Sequence, residues 1–277
     1  MPIHALAVVH PGAVLGADVE IGAFACVGDD VRLGAGCVIM SHATVLPGVR
    51  LGERCQVHPG AVIGGDPQNR AYAGERTFLE VGARTIFREY VTVSRATKEG
   101  GATRIGSDCM LMMGAHVGHD SVVGDRVTIA NGVNVAGHCE LHDDATIGGV
   151  TALHQFVRVG TMAMVGGQSG LTRDAPPFML TAGAPPAMVY GLNRVGLARN
   201  GFTGETRRRL KHAFRLLYRS GLNLTQAVER IRAELPVEGE IAVLVAFIAG
   251  SRRGLSNGSR WQRERRLRRA HAGSLVG

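Results

Sequence analysis

The chain reads as a mainly β protein: a parallel β-helix of six-residue repeats, followed by a small α-helical domain. Three features point there. An aliphatic side chain returns at every sixth position through most of the stretch from Ile3 to Leu171. Glycine is abundant, at 39 of 277 residues, while aromatics make up only 5%, and that pairing directs attention to internal repeats. Beyond about residue 190 the apolar spacing changes to the three-and-four pattern of an amphipathic helix.

The first run comprises Ile3, Val9, Leu15, Ile21, Val27, Leu33, Ile39, Val45, Leu51, Val57 and Ile63. The phase breaks, returns at Val81, Phe87 and Val93, breaks again, and resumes from Ile105 to Leu171. No ordinary helix or strand period produces this spacing. The fifth residue of each hexad is small or β-branched, as at Val19, Ala25, Cys37 and Cys55. Three hexads make an 18-residue triangular coil whose aliphatic residues fill the interior, and strand pairing stacks successive coils about 4.8 Å apart. Glycine often follows the aliphatic position, as at Gly16, Gly34, Gly52 and Gly148, where it is expected to absorb strained turn geometry. Both interruptions displace whole hexads, so they are excursions from the prism, at 65–78 and 95–103. The repeat domain is expected over residues 1–189.

A helical domain is expected over 190–254. Leu210, Phe214 and Leu217 share one helical face, Val228, Ile231 and Leu235 a second, and EIAVLVAFIAG gives a third helix. Thr203 and Asn223 are suited to N-capping. Residues 255–277 form a basic tail, expected to be loosely ordered.

The formal net charge is +8, but residues 251–277 hold eight arginines against one glutamate. The rest of the chain is close to neutral, which argues against a nucleic-acid binder. No apolar run reaches the ~18 residues of a membrane span. MPIHALAVVHPG lacks a basic start and a long apolar run, so no signal peptide is expected. Five scattered cysteines suggest reduced thiols and a cytoplasmic protein. Cys37, Cys55, Cys109 and Cys139 fall at inward positions, whereas Cys26 is placed to face outward. There is no P-loop, dinucleotide fingerprint or zinc-finger spacing, so neither cofactor nor metal is expected.

Hexad phase also places the histidines. Val117, Val135 and Leu153 begin hexads on one side of the prism in three consecutive coils. His119, His138 and His154 follow them, which predicts a column of three histidines with Gly137 one coil above His119. His116 lies alongside, and Asp120 could orient the His119 ring or simply make a turn. Two chemistries fit such a cluster: three-histidine metal binding, as in hydratases built on this kind of helix, and general-base catalysis by an imidazole, which ordinarily titrates near neutrality.

The runs HPGAVLG, YAGE, IGSDCMLMMGAHVGHD, VAGHCELHDDATIGG, TALHQFVRVG, VGGQSG and APPFMLTAG occur in this order. They resemble the UDP-N-acetylglucosamine acyltransferases that begin lipid A biosynthesis in Gram-negative bacteria. The likeness spans about His10 to Leu255. It implies a homotrimer of left-handed parallel β-helices, each with a C-terminal helical domain. The reaction it implies moves a 3-hydroxyacyl group from acyl carrier protein to the sugar 3-position. By this resemblance His119 is the catalytic base, Asp120 its orienting partner, and Gly137 the residue whose N–H stabilises the oxyanion. His116, His138, His154 and Gln155 line the substrate cleft, and Gln68 sits on a substrate-contacting loop. Asn193 and Arg199 lie near the uridine diphosphate. Gly167 caps the acyl-chain groove.

The sequence departs from the family pattern at Ala71, where lysine is usual, at Ser94 and Pro185, where histidine is frequent, and at Asn200, where arginine is frequent. These changes bear on acceptor affinity and identity more than on reaction type. The alternatives are a related transferase with another acceptor, such as a 3-amino sugar nucleotide or the acceptor of the next lipid A acylation, or a metal-dependent hydratase of the γ-carbonic anhydrase kind.

Overall fold

A computed structural model of the chain describes residues 3–258. The basic tail expected from residue 255 is not loose at its start, since Leu255 and Ser256 are buried and the Ser256 N–H donates to the Asp174 carbonyl oxygen at 2.8 Å, and from residue 259 on it lies outside the described residues. Short strands stack into three sheets of nine, eight and ten strands. All pairings between these strands are parallel save the last, Met179–Ala182 against Met188–Leu192, which is antiparallel. Up to Gly170–Leu171 the strands pair three apart in chain order, so the chain winds round a three-sided prism. Thr44 pairs with Val62, eighteen residues on. Val62 pairs with Thr92, thirty on, and Thr92 with His116, twenty-four on. The two excursions thus add twelve and six residues, and the hexad phase survives both.

Aliphatic residues at the hexad starts, from Ile21 to Leu171, are buried together with the small residues at the fifth positions. Burying each such aliphatic side chain contributes roughly 1.5–3 kcal/mol. Ile3, Val9 and Leu15 are exceptions to the predicted core. Ile3 is 48% exposed and the other two are partly buried, because the first coil is covered on one side only. Cys37, Cys55, Cys109 and Cys139 are buried free thiols and Cys26 is exposed.

The glycine expectation needs correction. Within the repeats, Gly64 excepted, the residues that enter the left-handed region sit at the fourth hexad position, and most are not glycine: Asp120, His138 and Phe156 have φ of 58°, 60° and 65°. The glycines after the aliphatic residue serve close approach between coils instead. A Cβ at Gly34 would stand 2.6 Å from the Gly52 carbonyl carbon, and one at Gly148 would stand 2.4 Å from the Gly167 nitrogen. Any side chain there would push two coils apart.

Four helices follow: α1 (Arg194–Arg199), α2 (Gly204–Arg219), α3 (Leu224–Glu234) and α4 (Gly239–Ala249). Thr203 and Asn223 cap α2 and α3 as predicted, the latter in a capping box with Gln226. The six-residue α1 has no counterpart in the sequence reading. The helices build a second core with Met179, Val189 and Phe178 from the last coil. The Arg158 guanidinium lies 4.4 Å from the Phe247 ring and donates to the Phe247 carbonyl oxygen at 3.1 Å, fastening α4 to the prism. Among the described residues no helix is long and apolar enough to cross a membrane.

Candidate active site

The corner that carries His119 is assembled by coil stacking. His116–Val117 pairs with Asn134–Val135, which pairs with Ala152–Leu153. The chain then turns through Asp120, His138 and Phe156 at successive levels. Their left-handed geometry lets the N–H of His138 donate to the His119 carbonyl oxygen at 2.9 Å. His119 is only 4% exposed, and its Nδ1 lies 2.8 Å from Asp120 Oδ2. Asp120 is therefore both a turn residue and the partner of the imidazole.

Gly137 sits over the His119 ring. A Cβ added there would be 2.7 Å from Cε1 and 2.8 Å from Nε2 of His119, so glycine makes room for the imidazole. Bonds between coils here run from Ala136 N–H and His138 N–H. The Gly137 N–H between them has no backbone acceptor among the described residues.

The predicted column of three histidines is only partly formed. His119 and His138 meet edge to face, with centroids 5.1 Å apart. The next ring is Phe156, stacked on His138 at 4.7 Å and 8°. His154 is two residues out of phase: eighteen residues before it stands Ala136, not His138. Its ring is exposed, with Nδ1 3.2 Å from the Gln155 carbonyl oxygen. The side chains whose ligand atoms converge, within 4.8 Å of one another, are His119, Asp120 and His138. Within the described residues of one chain that set has two imidazoles and a carboxylate.

Burial and the neighbouring His119 hold His116 below the ordinary imidazole value, and its Nδ1 is 2.8 Å from Thr92 Oγ1. Burial also lowers His138, opposed by the Asp120 charge. For Asp120, burial pushes the carboxyl up. Hydrogen bonds from His119 and from the N–H and hydroxyl of Thr97, with the His138 charge, more than offset it and leave the group below its usual value. Thr97 and Thr103 around Asp120 were missed by sequence reasoning: Thr97 lies in an excursion without a period, and Thr103, in the strand Ala102–Ile105 that closes it, sits buried at an ordinary inward position.

Gln155 stands at the same corner, eighteen residues after Gly137, and the remaining expected residues lie elsewhere on a single chain. Gln155 is exposed beside His154, and Gln68 is exposed on the first excursion. Asn193 caps α1: its side chain accepts from the Gly196 N–H at 3.0 Å and donates to the Met162 carbonyl oxygen at 3.0 Å. Arg199 is exposed in the last turn of that helix. Gly167 follows a strand of the ten-stranded sheet, whereas His119 follows one of the nine-stranded sheet. The two stand at different corners of the prism.

Two family models match the chain. One, described as UDP N-acetylglucosamine O-acyltransferase, domain 2, covers residues 174–256. The other, the bacterial transferase hexapeptide (six repeats), covers 30–65 and 102–137. An acyl-[acyl-carrier-protein]--UDP-N-acetylglucosamine O-acyltransferase from Syntrophobacter fumaroxidans is 41% identical over 256 residues, covering 92% of this chain and 99% of that protein. Among solved structures, LpxA from Acinetobacter baumannii superposes with a TM-score of 0.89 at 35% identity, over 92% of this chain and 99% of its own. The UDP-N-acetylglucosamine acyltransferase LpxA from Bacteroides fragilis gives 0.88 at 37%, over 91% and 98%.

Proposed function

The chain belongs to the acyl-[acyl-carrier-protein]--UDP-N-acetylglucosamine O-acyltransferase family, and we propose that His119 is the base for its acyl transfer. The enzyme moves a 3-hydroxyacyl group from acyl carrier protein to the 3-hydroxyl of UDP-N-acetylglucosamine, the first step of lipid A biosynthesis. The observation that carries the assignment is the His119–Asp120 pair beneath Gly137. Asp120 accepts the Nδ1–H of His119, which leaves the Nε2 lone pair free to take a proton. As the sugar 3-hydroxyl attacks the thioester carbonyl, Nε2 takes its proton and a new C–O bond forms. The carbonyl oxygen becomes an oxyanion, received by the Gly137 N–H. The intermediate collapses by breaking the C–S bond, and the proton on Nε2 leaves with the pantetheine sulfur. No cofactor takes part.

His116, His138, His154, Gln155, Gln68, Asn193 and Arg199 serve as the substrate-binding residues. Asn193 would then act chiefly by fixing the start of α1, since both ends of its amide are engaged within the chain. The exposed Arg207, Arg208, Lys211 and Arg215 on α2 suit docking of an acidic carrier protein. The working form is a cytoplasmic homotrimer. His119 and Gly167 stand at different corners of one prism, so a single acyl groove joining them needs a second copy to supply one wall. A stable species of about 29 kDa by light scattering would contradict this. The activity is tested by incubating the protein with UDP-N-acetylglucosamine and 3-hydroxyacyl carrier proteins, then weighing the product. A mass gain of one 3-hydroxyacyl group on the sugar nucleotide is expected, and its absence would refute the reading.

A further inference from the structure

Asp120 is held differently from the other residues at its corner. His138 and Phe156 donate their N–H groups to carbonyl oxygens one coil below, at 2.9 and 3.3 Å. At Asp120 the coil below is interrupted by the second excursion, and the bonding changes. The Asp120 N–H donates to Thr103 Oγ1 at 2.9 Å. Its carboxylate accepts the Thr97 N–H on Oδ1 at 3.1 Å and the Thr97 hydroxyl on Oδ2 at 2.8 Å. The same Oδ2 faces His119 Nδ1 at 2.8 Å, with His138 Nε2 at 3.7 Å. Thr97 and Thr103 come from the two sides of the excursion, so six added residues bracket Asp120, Thr97 at its carboxylate and Thr103 at its backbone N–H.

The excursion is itself anchored. The Arg95 N–H donates to the Gly65 carbonyl oxygen at 2.8 Å, and the Gly101 N–H to the Lys98 carbonyl oxygen at 2.7 Å. The Gly100 N–H donates to the Arg76 carbonyl oxygen at 2.9 Å, and the Arg76 N–H to Glu99 Oε2 at 2.8 Å. The Arg95 guanidinium pairs with Asp66 on the first excursion. Thr97 is thus presented by a braced loop.

We propose that Thr97 is a positioning residue for acyl transfer, its hydroxyl and N–H fixing the Asp120 carboxylate where Oδ2 receives the His119 Nδ1–H. This rests on the reading of His119 as the base. A carboxylate fixed at both oxygens cannot rotate about its side-chain bond, so the imidazole keeps one tautomer and one orientation. Losing a charge-assisted bond to that carboxylate acts on the step that loads a proton onto His119 and leaves ground-state substrate binding alone.

The test is steady-state kinetics of Thr97→Val, which keeps the shape and the N–H but removes the hydroxyl, beside Thr97→Ser, which restores it. For Thr97→Val, kcat should fall roughly tenfold with both KM values within about twofold of wild type. Thr97→Ser should recover kcat to within about threefold. In an Asp120→Asn background the valine change should have little further effect. If Thr97→Val does not fold, Thr97→Ala carries the same expectation. A kcat within twofold of wild type, equal losses in the valine and serine variants, or a loss confined to KM would overturn the proposal. His119→Ala in parallel separates the two readings. If it is inactive while Thr97→Val is fully active, only the role of Thr97 fails. If His119→Ala is itself fully active, the base assignment fails, and the role of Thr97 with it.

Discussion

A methyl group at Gly137 is a sharp probe of the site. In Gly137→Ala the new carbon would stand 2.7 Å from His119 Cε1. Carbon contacts settle at about 3.5–4.0 Å, so the ring must retreat by roughly 0.8 Å or more. It has little room, being 4% exposed and tied to Asp120 at 2.8 Å. Gly137 is not among the positive-φ residues, so the backbone accepts alanine, and its N–H remains. Misplacing a reacting group by about 1 Å can cost 10²-fold, and kcat/KM should fall by about that factor. Overpacking of this kind costs roughly 1–3 kcal/mol, which thermal melting would register without loss of fold. The effect should act through the ring. His119→Ala removes the clash, so the double variant should be no slower than His119→Ala alone. Activity of Gly137→Ala within threefold of wild type would refute the reasoning. So would a double variant a further 10²-fold below His119→Ala.

At Gly167 an added Cβ would lie 3.1 Å from the Gly149 carbonyl oxygen, tight but relieved by a small shift, and φ there is not left-handed. Gly167→Met should therefore fold and move the donor optimum from long chains, roughly C12–C14, to shorter ones, at up to about 0.8 kcal/mol per excluded methylene. Uniform loss across donors would contradict a chain-length role. Burial first, and then the Arg158 charge, hold His142 below the ordinary imidazole value. The unfolded chain then takes up the proton before the folded one. The stabilisation is intact above pH ~6.5 and is lost as pH falls from there through the lowered value. Melts of wild type should decline more steeply below that pH than melts of His142→Gln, and parallel curves would contradict this. Asn193→Ala removes the α1 cap, which is worth ~1 kcal/mol. Urea unfolding should show at least that loss, and an unchanged midpoint would deny the cap its role.

The prism was legible because its period is physical: one inward aliphatic residue per side of a triangle leaves a six-residue mark that whole-hexad excursions do not erase. The same arithmetic placed Gly137 over His119. It failed at His154, because residues two, three and four of a hexad were treated as one column. Only the strict eighteen-residue step, from Asp120 to His138 to Phe156, stacks side chains at a corner. The repeated glycines were assigned to turns, whereas contact between coils demands them. The break in hexad phase marks where the second excursion lies but carries no sign of what it holds. Thr97 lies in a stretch without periodicity, and its bonds to Asp120 depend on a loop path that no local pattern encodes, whereas Thr103 stands at an inward position of the strand that follows. Helix α1 is too short to show a helical period, although Asn193 before it is a good capping residue.

The most direct measurement of the account is the turnover of purified His119→Ala with UDP-N-acetylglucosamine and a 3-hydroxyacyl carrier protein, taken beside its thermal unfolding. His119 projects from the third hexad position, outside the aliphatic core, so the fold should persist. Loss of the general base should lower kcat by roughly 10²-fold or more, with an unfolding midpoint close to wild type. Turnover within a few-fold of wild type, or a loss of activity matched by collapse of the fold, would contradict it.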